Sequence, residues 1–213
     1  ASHSLAETNC PKTIAGPLRT ACSTRLILLL LLLTLPAVVQ AQFKYTTNNG
    51  TITIAAYTGT NAVVAIPSMI DGLPVTSIGF EAFVSNSTLN SVVIPNSVLK
   101  IGDYAFLTCP NLLNVMIGNG VTNVGNGAFS ACASLADCTI PNSVINIGTY
   151  AFLNCTSLTK VTIGNNVTNI GSSAFSGCTS LTDVTIGTRV ASIEFLAFIG
   201  CNNLTSITIP DSV

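Results

Sequence analysis

Apolar residues recur along most of this chain at one spacing. The stretch LTKVTIGNNVTNIGSSAFSGCTS, Leu158 to Ser180, sets apolar residues at fixed offsets, and the same offsets return every 23 residues. Phe stands at Phe83, Phe106, Phe129, Phe152, Phe175 and Phe198, always after Ala. Leu stands at Leu89, Leu112, Leu135, Leu158, Leu181 and Leu204. Cys stands at Cys109, Cys132, Cys155, Cys178 and Cys201, with Asn86 in the first slot. Ile stands at Ile94, Ile117, Ile140, Ile163, Ile186 and Ile209, each followed by Pro or Gly. The positions between are mostly Asn, Thr and Ser. A fixed period of this length is the mark of a solenoid. One unit cannot bury its apolar side alone, so units stack and each covers the next.

The pattern inside a repeat predicts three segments. LTKVTI alternates and reads as a strand with Val161 and Ile163 inward. Gly164, or Pro at the equivalent positions, ends it. VTNIG, Val167 to Gly171, is a second short extended piece. SSAFSGC reads as a single helical or 3₁₀ turn that tucks Ala174, Phe175 and Cys178 into the interior. Strands of successive coils should pair in parallel, about 4.8 Å apart, so five full repeats from Leu89 to Asn203 make a stack on the order of 25 Å long.

Residues 42–74 read as an N-terminal β cap. FKYTTNNGTITIAAY is two strands about Asn48-Asn49-Gly50, a turn that favours positive φ. AVVAIP, Ala62 to Pro67, resembles a repeat strand, and SMIDGLP then inserts five residues against the period. A cap is needed because the first coil otherwise exposes its core. Residues 75–213 are the solenoid, five full repeats with partial ends. The sequence stops in mid-repeat at Asp211-Ser212-Val213, so a truncated C-terminus is expected.

Residues 1–41 read as a leader with a secretory signal peptide. Arg19 and Arg25 precede the apolar run Leu26 to Val39, and Val39 and Ala41 put small residues before a cut at Gln42. The run is too short to span a bilayer comfortably, so no stable membrane span is expected in the mature chain. Without the leader, Lys44, Lys100, Lys160 and Arg189 stand against seven acidic residues, a net charge of −3. A charge-poor, weakly acidic chain has no electrostatic case for nucleic acid.

The consensus L-x-x-V-x-I-P-x-x-V-x-x-I-G-x-x-A-F-x-x-C, carried by about residues 62–213, resembles the BspA-type leucine-rich repeat of bacterial surface and secreted proteins. The resemblance implies a right-handed, strand-rich solenoid with parallel strands, a secreted or cell-surface location, and a role in adhesion or protein binding. It brings no catalytic residues and no cofactor. Three positions depart from the pattern: Cys138 replaces an inward Val, Glu194 replaces the equivalent of Gly171, and Asn86 replaces Cys.

Candidate chemistry is sparse. Stacked cysteines lie within disulfide range, but their side chains point the same way, so buried thiols are expected, with one or two disulfides left open. A metal site needs ligands that converge, not a line of them. The single His, His3, goes with the leader, which removes Ser-His and Cys-His nucleophile pairs. Asp137 and Asp183 share a slot two coils apart, roughly 10 Å, with Lys160 between them. The row reads as a solvated ladder in which Lys160 bridges two Asp, in preference to an acid/base pair. The Phe ladder reads as core.

The outward strand positions are free of these constraints. One slot runs Ser91, Asn114, Asp137, Lys160, Asp183, Ser206; the other runs Val93, Met116, Thr139, Thr162, Thr185, Thr208. This nearly flat polar sheet, with an apolar corner at Val93 and Met116, is the candidate protein-binding face. Three readings of function are open: an extracellular or cell-surface binding and adhesion module without catalysis, a passive spacer, and the repeat region of a secreted enzyme whose catalytic domain lies beyond Val213.

Overall fold

The computed structural model describes residues 41–213; the leader expected over residues 1–41 lies, apart from Ala41, outside the described residues. The LTKVTI-type segments are strands, and those of successive coils pair in parallel. Val63–Ala65, Ser91–Val93, Asn114–Met116, Asp137–Ile140, Lys160–Ile163 and Asp183–Thr185 make one six-stranded sheet. The VTNIG-type segments make a second column, Lys100–Ile101, Asn123–Val124, Asn146–Ile147, Asn169–Ile170 and Ser192–Ile193, which continues upward into Leu73–Ile78. Among the described residues no helix is long and apolar enough to cross a membrane.

The ladders fill the space between the two columns. Phe83, Phe106, Phe129, Phe152 and Phe175 are almost fully buried, and neighbouring rings from Phe83 to Phe198 stack 4.6–5.3 Å apart. Each such ring removes enough apolar surface from water to contribute about 1.5–3 kcal/mol, so the stack is a large part of coil-to-coil cohesion beside the Leu, Val and Ile ladders.

The N-terminal strands close the stack. Phe43–Asn48 and Thr51–Tyr57 form an antiparallel hairpin, turned by Asn49 and Gly50 with φ of 48° and 75°. Thr51–Tyr57 then pairs in parallel with Leu73–Ile78. Its Tyr57 ring lies on Phe83 at 5.2 Å, and Phe43 covers Tyr57 at 5.1 Å, so two aromatic residues finish the Phe column. The SMIDGLP insertion is absorbed as a local hairpin, Met69–Ile70 against Leu73–Pro74, about a left-handed Asp71-Gly72 turn. The Tyr45 hydroxyl donates to the Asp71 carboxylate and ties this hairpin to the first.

Two expectations are corrected. The SSAFSGC segments are not helical turns; there is no helix among the described residues. Backbone N–H groups there alternate between two uses. Those of Ala174, Ser176 and Cys178 close tight turns on Gly171, Ser173 and Phe175, while those of Ser173, Phe175 and Gly177 donate to Phe195, Ala197 and Ile199 of the next coil. Left-handed residues at Ser173 (φ 54°) and Gly177 (φ 70°) produce the alternation and stop a helix from propagating. The second correction concerns Ser206 and Thr208, which lie outside the sheet. Its last strand is Asp183–Thr185; residues 205–209 carry no ladder bonds, and Ile209 is 48% exposed. A strand with one bare edge and a thin apolar cover frays first.

Candidate protein-binding groove

Strand register sets the outward side chains in two rows. Ser91, Asn114, Asp137, Lys160 and Asp183 are successive partners, and so are Thr139, Thr162 and Thr185. Val93 is opposite Met116. The first strand, Val63–Ala65, extends both rows, with Val63 opposite Ser91 and Ala65 opposite Val93. The alternation that buries Val92, Val115, Val161 and Ile163 is what turns these side chains out.

A hollow of about 910 Å³ runs over this face. Ser91, Asn114, Met116, Asp137, Thr139, Thr162 and Thr185 line it. Val93 lines a second hollow of about 340 Å³ that shares Met116 with the first. Lys160 and Asp183 stand beside the groove rather than in it, and Ser206 and Thr208 are apart from it. Met116 is the most exposed apolar side chain of the groove, at 64%.

The opposite wall was not anticipated. It is made by the turns after each inward Ile: Pro141 and Asn142, Gly164 and Asn165, and Asn119. Asn142 accepts the backbone N–H of Asn165 at 2.8 Å, Asn165 that of Thr188 at 3.3 Å, and Asn96 that of Asn119 at 2.8 Å. These amide oxygens are used to brace the next coil, which leaves the NH2 groups as donors on the groove rim. The signal in the sequence was the Asn that follows Pro or Gly in most repeats, hidden by an Asn-rich composition.

Charge on the face is uneven. Lys160 Nζ pairs with Asp183 Oδ2 at 3.0 Å, and both side chains are more than half exposed, so the pair contributes at most about 1 kcal/mol. It is the one ion pair among the described residues; Lys160 does not bridge two carboxylates. Asp137 Oδ1 accepts the Thr159 hydroxyl at 3.3 Å, its one described partner.

The cysteines take no part in the face. All six described are free and buried. Burial, with the Asp137 carboxylate second, pushes the Cys138 thiol up to about 12; burial, with Cys201 second, pushes Cys178 up to about 12. Thiols held so far from ionisation are poor nucleophiles and poor ligands. Among the described residues no three His, Cys, Asp or Glu side chains converge on a point.

Comparison with known proteins fits this geometry. The family model for the BspA type leucine rich repeat region matches residues 76–205 in six copies. A leucine rich cell surface protein of Faecalibacterium prausnitzii is 37% identical with a TM-score of 0.73, over 81% of this chain and 48% of its own. A leucine-rich repeat protein of Bacteroides ovatus is 31% identical with a TM-score of 0.72, over 79% of this chain and 46% of its own. The leucine rich repeat protein of T. pallidum is 31% identical with a TM-score of 0.60, over 79% and 89%. The chain thus spans about half the length of the first two. No curated protein matches it.

Proposed function

This chain belongs to the BspA-type leucine-rich repeat family, and on that premise we propose that it is a protein-binding module of an exported or surface-attached protein. Repeats of this family commonly bind proteins. The partner docks in the groove over Met116, Asp137, Thr139 and Thr162. The observation that carries this reading is the coincidence of groove and irregularity. Thr at every outward position would be explained by strand preference alone. The hollow spans Thr139, Thr162 and Thr185 and also takes in Asn114, Met116 and Asp137, which strand preference does not explain. Met116 offers an adaptable apolar contact and the Asp137, Lys160, Asp183 row a register of charge.

Two further observations support export and a surface location. Residues 1–41 carry the basic flank, apolar run and small-residue exit of a secretory signal. The Faecalibacterium relative is described as a cell surface protein. The proposal assigns no reaction and no cofactor to residues 42–213.

The test is retention of surface and matrix proteins on immobilised residues 42–213, repeated with Thr139→Lys plus Thr162→Lys. Two long side chains fill the groove while leaving the inward ladders intact. Retention that disappears with the folded double variant is the expected result. Equal retention moves the site off this face, and no retention by either protein favours the passive spacer.

A further inference from the structure

The groove has one charged lining residue, Asp137. The nearest cation in its row, Lys160, is already engaged by Asp183 at 3.0 Å. Among the described residues Asp137 has only the Thr159 hydroxyl, at 3.3 Å. Met116, 64% exposed, lines the same hollow. Asn114, the register partner of Asp137, lies between them on the strand that carries Met116. An anionic point and a soft apolar patch a few residues apart describe the complement of one kind of side chain. Lys and Arg combine an apolar stem with a cationic end. The rest of the lining is uncharged, hydroxyls and amides with Val, Ile, Pro and Gly among them, and neither repels nor fixes a charge.

We propose that the groove recognises an exposed basic segment of its protein partner, with a Lys or Arg side chain laid over Met116 and its charged end on Asp137. The inference rests on the groove being the binding face. It adds what the groove selects. The Lys160–Asp183 pair acts as a setting for that selection: while Asp183 holds Lys160, Asp137 stays available, and release of Lys160 supplies Asp137 with an internal cation instead. The two substitutions on either side of the pair therefore have opposite consequences. Removing Lys160 strengthens attraction for the partner's cation, and removing Asp183 weakens it.

The experiment uses the full 213-residue chain and synthetic peptides of one flexible sequence that differ at the central two residues: Arg-Arg, Lys-Lys, norleucine-norleucine or Glu-Glu. Dissociation constants are read by surface plasmon resonance at low and high salt. The basic peptides should bind in preference to the other two and lose affinity with salt. Asp137→Asn should weaken the basic peptides about three- to fivefold, the scale of an exposed charge pair. Lys160→Gln should tighten them and Asp183→Asn weaken them. Affinity that ignores the central residues, follows Glu, or is absent for every peptide overturns the proposal, as does a Lys160→Gln chain that binds basic peptides more weakly. Thr139→Lys plus Thr162→Lys separates the two claims. If it abolishes binding, the groove is the site, and the preference of the unsubstituted chain among the four peptides then decides basic selection; if it leaves binding intact, the groove itself is not the site.

Discussion

The Cys155 thiol donates to the Phe129 carbonyl 3.2 Å away, on the coil before it. The same bond joins Cys109 to Phe83, Cys132 to Phe106, Cys178 to Phe152 and Cys201 to Phe175. The cysteine ladder is therefore a set of coil-to-coil hydrogen bonds running beside the Phe stack, and it needs the protonated thiol.

Alkaline pH should weaken the fold through two buried thiols, Cys178 of this ladder and Cys138 of the inward strand face. An unfolded thiol ionises near about 8.5, whereas folded Cys138 and Cys178 are held up to about 12. Between those values the folded chain keeps protons that the unfolded chain has lost. Each thiol's contribution is complete below about 8.5 and falls by roughly 1.4 kcal/mol per pH unit above it. Urea unfolding at neutral pH and at pH about 10 checks this, with Cys138→Val plus Cys178→Ala as comparison. The wild type should lose its advantage over the variant as pH rises; a gap constant with pH would refute the assignment.

The Phe column should outweigh anything on the surface. Phe152 is fully buried and lies between Phe129 at 5.2 Å and Phe175 at 5.1 Å. Phe152→Ala should cost about 3–5 kcal/mol. Lys160→Ala removes one exposed ion pair and should cost under about 1 kcal/mol. Denaturant midpoints of the two variants should differ clearly, and comparable midpoints would contradict a cohesive aromatic core.

Between the coils a column of glycines sets the closest backbone approach. A Cβ on Gly148 would sit 2.7 Å from the Asn126 nitrogen and from the Gly125 carbonyl carbon, both backbone atoms that cannot swing away. Gly148→Ala should therefore cost about 1–3 kcal/mol, by prising two coils apart. Thr149→Ala next to it, half-exposed, should stay within about 0.5 kcal/mol. Thermal unfolding of the pair measures the difference, and equal melting temperatures would show that the coils have room to spare.

The parts legible in the sequence were those written as single residue identities at one period. Phe, Leu, Ile and Cys ladders named the inward positions, and alternation then named Asn114, Met116, Asp137 and Thr139 as outward. The Asn49-Gly50 turn was legible for the same reason, since both residues suit positive φ. The turn runs were not, because their left-handed positions are filled by Tyr104, Tyr150, Ser173 and Leu196, with φ of 57°, 60°, 54° and 59°. Nothing in a Tyr or a Leu announces such a backbone; bonds to the next coil impose it. Asn86 shows the converse. Its side-chain oxygen accepts from the Thr88 and Leu89 N–H groups, closing the turn that the Cys backbone carbonyl closes in later coils, as Cys109 does for the Leu112 N–H. The Asn wall of the groove was lost among other asparagines, and its role appeared only once the coils were stacked.

Glu194 is the departure that a stability measurement can interrogate most directly. In earlier coils a side chain from the coil before accepts the N–H at this corner: Asp103 takes that of Asn126, and Asn126 that of Thr149, both at 2.9 Å. Thr149 supplies no such bond to Ser172. Instead Glu194 reaches back from the coil after, accepting the Ser172 N–H at 3.0 Å and its hydroxyl at 2.9 Å. The Ser172 hydroxyl first, then Asn169 and the Ser172 N–H, hold the Glu194 carboxyl below its ordinary value. A depressed carboxyl contributes stability above its unfolded value, about 4.3, and loses it as pH falls through the folded one. Glu194→Gln should thus lower the denaturant midpoint at neutral pH, and the gap should close in acid once the wild-type carboxyl is protonated as well. Ser172→Ala should remove most of the same gap at neutral pH, because it takes away the leading donor. A Glu194→Gln deficit that is the same at pH about 3 as at pH about 7 would mean that shape, and not charge, holds this corner.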